Sequence, residues 1–153
     1  VDAQGGTLTG VFSQSPGRPG ERPDDPFGLE LAESRLCPAS LRLGASGLRL
    51  IAALLREGEL VHHVVVGSSL SLPSCAAVTD RRILVTISER LDAAVEIFEF
   101  SEDLVVHGRH MAGFASITLT NDADALTIDR ILDVSEAVAM ARKIRTLNGP
   151  IAF

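Results

Sequence analysis

The stretch Val78-Thr79-Asp80-Arg81-Arg82-Ile83-Leu84-Val85-Thr86-Ile87 decides the fold. Ile83 through Ile87 is a run of branched side chains, which suit the pleated surface of a sheet better than the crowded surface of a helix, and it is short for a helix. Thr79, Asp80 and Arg81 form a turn before it, with the Asp80 carboxylate expected to accept a backbone amide two residues on. Residues 75–79 and 82–88 should therefore pair as a hairpin. Arg81 and Arg82 carry the guanidinium forks that suit phosphate. In an acidic chain the expectation is instead that one pairs with Asp80 or a neighbouring strand while the other is solvated.

Outward from this hairpin the chain alternates short β-prone runs with turn formers. Upstream, Leu48, Ile51, Ala52 and Leu55 recur at three and four, predicting a lead-in helix capped near Ser46 and ending near Gly58. Residues 59–66 then read as a strand, on which His62 and His63 point to opposite faces and cannot chelate one metal together. The connection 67–74 holds Leu70 and Leu72, either an apolar contact for a partner or membrane, or the strand edge running into the core. Downstream, residues 93–100, 103–109, 116–120 and 125–129 read as strands with one wet face. Asn121, Asp122, Ala123 and Asp124 join the last two as a solvated turn, without the glycine and distal glutamate of a calcium loop.

A helix closes the chain. Asp133 and Glu136 have capping-box spacing, Val134, Ala137, Val138, Ala141, Ile144 and Leu147 form an apolar stripe, and Asn148-Gly149-Pro150 stops it. Arg142, Lys143 and Arg145 are the densest basic cluster in the chain, and the helix dipole accounts for cations at that end.

Composition limits function. The chain has 153 residues, 46% hydrophobic and 22% charged, enough to bury a core, with a formal net charge of −6 that argues against a nucleic-acid partner. Two cysteines, Cys37 and Cys75, are too few for a disulfide framework, so a reducing cytoplasm is the expected location. The longest apolar runs are far shorter than a membrane span. Residues 1–43 read as a Gly/Pro-rich arm or linker, in which Leu8, Val11 and Phe12 could dock, and residues 26–35 lie against the core as an extended piece or a helical turn. Residues 44–153 read as the folded domain.

The Gly58-Glu59 step into the first strand, the Thr79-Asp80-Arg81-Arg82-Ile83-Leu84 hairpin and the closing helix from Asp133 together resemble the bacterial pleckstrin-homology-like domains, over about residues 48–147. The resemblance implies an α+β, mainly β fold: a PH-like, partly open antiparallel barrel of about seven strands, capped by the C-terminal helix, with a lead-in helix and a flexible N-terminal arm. Lipid-binding members of this fold place lysines and arginines in the first hairpin loop, whereas residues 67–74 here hold no cation.

No catalytic constellation is present: there is no Gly-x-Ser-x-Gly elbow and no phosphate loop between a strand and a helix. His107 and His110 read as surface turn histidines, since a metal would need two further ligands. No cofactor is expected. The expected function is a non-enzymatic protein-interaction or self-assembly module, working through a sheet edge or the groove beside the closing helix. A protein partner or a second copy is expected. The alternative is a peripheral membrane or lipid-binding module that would use Leu70, Leu72, Arg142, Lys143 and Arg145, a contact the cation-free loop disfavours.

Overall fold

A computed structural model describes residues 24–89 and 92–149. Among these residues three helices, α1 (Leu29–Glu33), α2 (Pro38–Leu43) and α3 (Ala45–Leu54), precede seven strands: β1 (Val61–Ser69), β2 (Leu72–Thr79), β3 (Arg82–Ser88), β4 (Ala93–Glu99), β5 (Val105–Met111), β6 (Phe114–Thr120) and β7 (Ala125–Ile131). Helix α4 (Val134–Asn148) follows. All pairings are antiparallel and the order is β4-β3-β2-β1-β7-β6-β5. This is the expected mainly β architecture, a partly open seven-stranded barrel with a closing helix.

The sheet has two halves that meet at one narrow seam. Strands β1 and β7 are paired only at Ser68 and Asp129. Gly67 makes that approach possible, because a Cβ there would overlap the carbonyl oxygen of Asp129. Inside the barrel, Val65, Val78, Ile83, Val85, Phe98, Ile117, Leu119 and Ile128 pack with Ala137, Met140 and Ile144 of α4. A second core lies on the outer face of β1 to β3, where Val64, Val66, Ala77 and Leu84 meet Leu29, Ala32, Leu36, Leu48 and Ile51 of the N-terminal segment. With apolar cover on both faces, Ile83, Leu84 and Val85 are all fully buried. That explains a continuous apolar run where a half-wet strand would alternate.

Several expectations shift. The segment before residue 44 is not all arm: Asp25 accepts the Glu30 and Leu31 amides at 3.0 Å each to start α1, and the Phe27 carbonyl accepts the Val61 amide at 2.8 Å. Residues 1–23, with Leu8, Val11 and Phe12, lie outside the described residues. Ser46 does not cap α3, which begins at Ala45 with no side-chain cap and leaves the Ser46 hydroxyl 3.4 Å from that of Ser88. The expected loop 67–74 shrinks to Leu70-Ser71, because β1 and β2 stay paired as far as Ser69 and Leu72. Pro73 fits inside β2 since β3 pairing begins only at Ser74, so its missing amide costs no bond on that side.

The capping-box pair is used differently as well. The Asp133 carboxylate accepts the Cys37 amide at 2.8 Å and the Ser40 hydroxyl at 2.6 Å, and no side chain caps α4. Glu136 accepts Arg35 Nε at 3.1 Å and lies 3.1 Å from His63 Nδ1. Both residues tie the N-terminal helices to α4.

Candidate functional site

The residues most conspicuous in the sequence form a buried support. Glu59 and Arg82 are almost wholly buried and joined twice, Nε to Oε2 and Nη2 to Oε1, each at 2.9 Å. Arg82 also donates to the Leu54 carbonyl at the end of α3, and the Arg56 amide donates to Glu59. Gly58, at φ 83°, sets the chain for that return. The Thr79 hydroxyl donates to Glu59 at 2.7 Å and accepts the Arg81 and Arg82 amides, so Thr79, not Asp80, closes the hairpin turn. Asp80 instead accepts the Leu60 amide at 3.0 Å. Burial pushes the Glu59 carboxyl up, but the bonds from Arg82, Thr79 and the Arg56 amide together outweigh it and hold the group at about 2. Arg82 is thus committed to the fold, and Arg81 lies 4.0 Å from Asp80 at the surface.

The candidate site lies in the other half. Strand β5 is an edge: it pairs β6 alone, so one row of its backbone amides and carbonyls has no strand partner among the described residues. Beside it runs a groove of about 230 Å³ between Gly108-Arg109-His110 and the Val138, Ala141, Arg142 and Arg145 side of α4. Val106 pairs Leu119 in the core, so by alternation Gly108 and His110 share the inner face and His107 and Arg109 the outer one. The expectation that His107 and His110 sit in a turn is corrected: both are on β5. Gly108 adds no side chain, which keeps the groove floor open towards Ala141.

The groove is basic in an acidic chain. Arg109, His110, Arg142 and Arg145 line it, no acid does, and no salt bridge ties any of them down among the described residues. Arg145 reaches only the Val106 carbonyl, at 3.4 Å. An unpaired strand edge supplies amides and carbonyls in register, while the cations supply the preference for an acidic occupant.

The residues singled out from the sequence divide between regions. Arg142 and Arg145 enter the groove, whereas Lys143 lies close enough to His62 for its charge to add to the burial that lowers that imidazole's pKa. Leu70 and Leu72 belong to the β1–β2 hairpin, where Leu70 is 95% exposed. Leu70 borders a separate depression with Ser71, Ile87, Leu126 and Arg130, which shares no lining residue with the groove. Leu70 and Ser71 have φ 51° and 72°, a two-residue turn of the kind that favours Asn-Gly. From sequence His110 reads, with His107, as half of a metal pair or as a turn histidine, and nothing there marks Gly108 and Arg109 between them as groove residues. Their signal is a run from Val105 to Thr120 without one acid.

Other chemistry is sparse. Cys37 and Cys75 are separate thiols, and burial pushes Cys75 up to about 12, far from a reactive thiolate. No group of three His, Cys, Asp or Glu residues is placed to hold a metal among the described residues. Asn121 accepts the Ala123 and Asp124 amides and closes its own turn. No helix among the described residues is long and apolar enough to cross a membrane.

No family profile matches the chain, and no curated protein matches it. Among solved structures it is similar to the pleckstrin homology (PH) domain of USP37, at 14% identity and a TM-score of 0.42, over 55% of this chain and 92% of that one. Strand order and the placement of the closing helix define the fold.

Proposed function

We propose that this chain is a non-enzymatic interaction module whose docking site is the groove between the β5 edge and α4, and that it takes an extended acidic segment as an added strand. The observation that carries the reading is the coincidence of a strand edge without a strand partner among the described residues and, in a chain of net charge −6, His110, Arg142 and Arg145 on its inner side and Arg109 on its outer one. A short acidic segment suits that site better than a nucleic acid, whose polyanionic backbone the rest of the chain repels. The two free thiols fit a reducing compartment, and on that ground we assign the cytoplasm. Membership of the bacterial pleckstrin-homology-like domains is part of the same proposal. It rests on Gly58-Glu59 and residues 79–84, of which Glu59, Thr79 and Arg82 join in one buried hydrogen-bonded network. The membrane alternative has less support, because the exposed Leu70 and the basic cluster do not share a site.

The test is a selection of random displayed peptides on the full chain, followed by binding to Arg109→Glu/Arg142→Glu. Enriched peptides should be rich in Asp and Glu among β-branched residues, and the variant should bind them at least about tenfold more weakly. No enrichment, or equal affinity for the variant, would overturn the proposal.

A further inference from the structure

We infer that the segment taken up by the β5 groove is β4 of a second copy, so that copies join head to tail, acidic edge to basic edge. The inference rests on the interaction reading above and names its partner. Strands β4 and β5 are the two edges of one sheet, each seven residues long and, among the described residues, each paired on one side alone. Their charges are opposite. β4 carries Glu96 and Glu99 and no base, and residues 83–106 hold six acids against the single Arg90. β5 carries Arg109 and no acid, with Arg142 and Arg145 behind it.

The alternation of side chains fits as well. Glu96 pairs Val85 and shares its face with the buried Phe98, so it points to the inner side, where an incoming β4 would meet Gly108, His110 and Arg142. Glu99 and Ile97 point outward, the side on which β5 presents Arg109, Val105 and Met111. Ile97, Val105 and Met111 are 43%, 58% and 55% exposed, so both edges show apolar surface that an edge-to-edge joint would cover. Two such edges left open invite pairing, and opposite charge selects which pairs with which. Each copy offers one edge of each kind, so the contact is heterologous and produces a ring or an open stack.

The experiment is sedimentation velocity on the full chain across concentration and salt, with Glu96→Lys, with Arg109→Glu/Arg142→Glu, and with the two variants mixed. The wild type should associate, and less so at high salt. Each variant alone should associate at least about tenfold more weakly, and the mixture should regain association because the reversed edges complement each other. A monomeric wild type, variants that associate like the wild type, or a mixture that stays apart would overturn the inference. Circular dichroism checks folding, and Glu96→Gln with Arg142→Gln replaces any variant that fails it, with weakening expected from each. A monomeric wild type that still binds selected acidic peptides, and loses them in Arg109→Glu/Arg142→Glu, would sink self-assembly and leave the interaction reading standing.

Discussion

Strands β1 to β3 and strands β5 to β7 are the same kind of antiparallel meander, yet the first three are covered on both faces and the last three on one. Along β3, Ile83, Leu84 and Val85 are buried without alternation, while β6 alternates, with Ala115, Ile117 and Leu119 inside and Phe114, Ser116 and Thr118 more open. The difference lies in the N-terminal helices, which cover the first half and leave the outer face of the second in solvent. In the covered half, the charged pair Glu59 and Arg82 is used up by the fold. In the half-covered one an edge, three arginines and a histidine remain available.

The most severe way to break this contrast is to uncover the first half. A chain beginning at Gly44 loses Leu29 and Leu36, which alone is about 3–6 kcal/mol of burial, together with the groups that bond Asp133 and Glu136. Urea unfolding should show that loss as a lower midpoint, with strand content falling at a lower temperature than in the full chain. An unchanged midpoint would mean that α1 and α2 are not part of the cooperative unit.

Next is the buried pair. Arg82→Ala leaves Glu59 without its partner in a dry site and should cost about 3–5 kcal/mol by denaturant titration. The acid limb checks the same pair. Glu59 is held at about 2 in the fold against an ordinary 4.5. Its contribution is therefore complete above pH 4.5 and fades as the pH falls towards 2. In Arg82→Ala that part of the stability–pH curve should flatten.

A smaller effect tests the seam between the halves. Gly67→Ala drives a methyl against the Asp129 carbonyl and should cost about 1–3 kcal/mol. Hydrogen exchange should speed most near Ser68 and Asp129, where β1 and β7 meet. Smaller again, Leu70→Asn/Ser71→Gly suits the left-handed turn and should stabilise by about 1 kcal/mol, read as a higher melting temperature. A loss of stability there would show that Leu70 makes a contact the fold needs.

How much of this was legible follows the same division. The hairpin at residues 75–88, the four strands after it and the closing helix could be read because turn chemistry and periodicity are local properties. Helix α1 could be read only as one of two alternatives for residues 26–35 and α2 not at all, since five or six residues give no clear period and what holds them, Asp25, Asp133 and Glu136, is local only in the case of Asp25. Asp133 and Glu136 had the spacing of a cap, but spacing does not show that an amide from residue 37 arrives first. Two of the five residues proposed from sequence, Arg142 and Arg145, line the groove, found as part of the densest basic cluster in the chain. Arg109 as a groove residue, and His110 as more than a turn histidine, become visible only when β5 is known to be an edge, which depends on sheet order and not on any local pattern.

Hydrogen exchange on the full chain, with and without a display-selected acidic peptide, tests the central claim most directly. Added protection in residues 105–111, with the side of α4 around Arg142 and Arg145 slowed and β1 to β3 unchanged, is the predicted result. Protection centred on the Leu70 turn, with β5 unaffected, would contradict it.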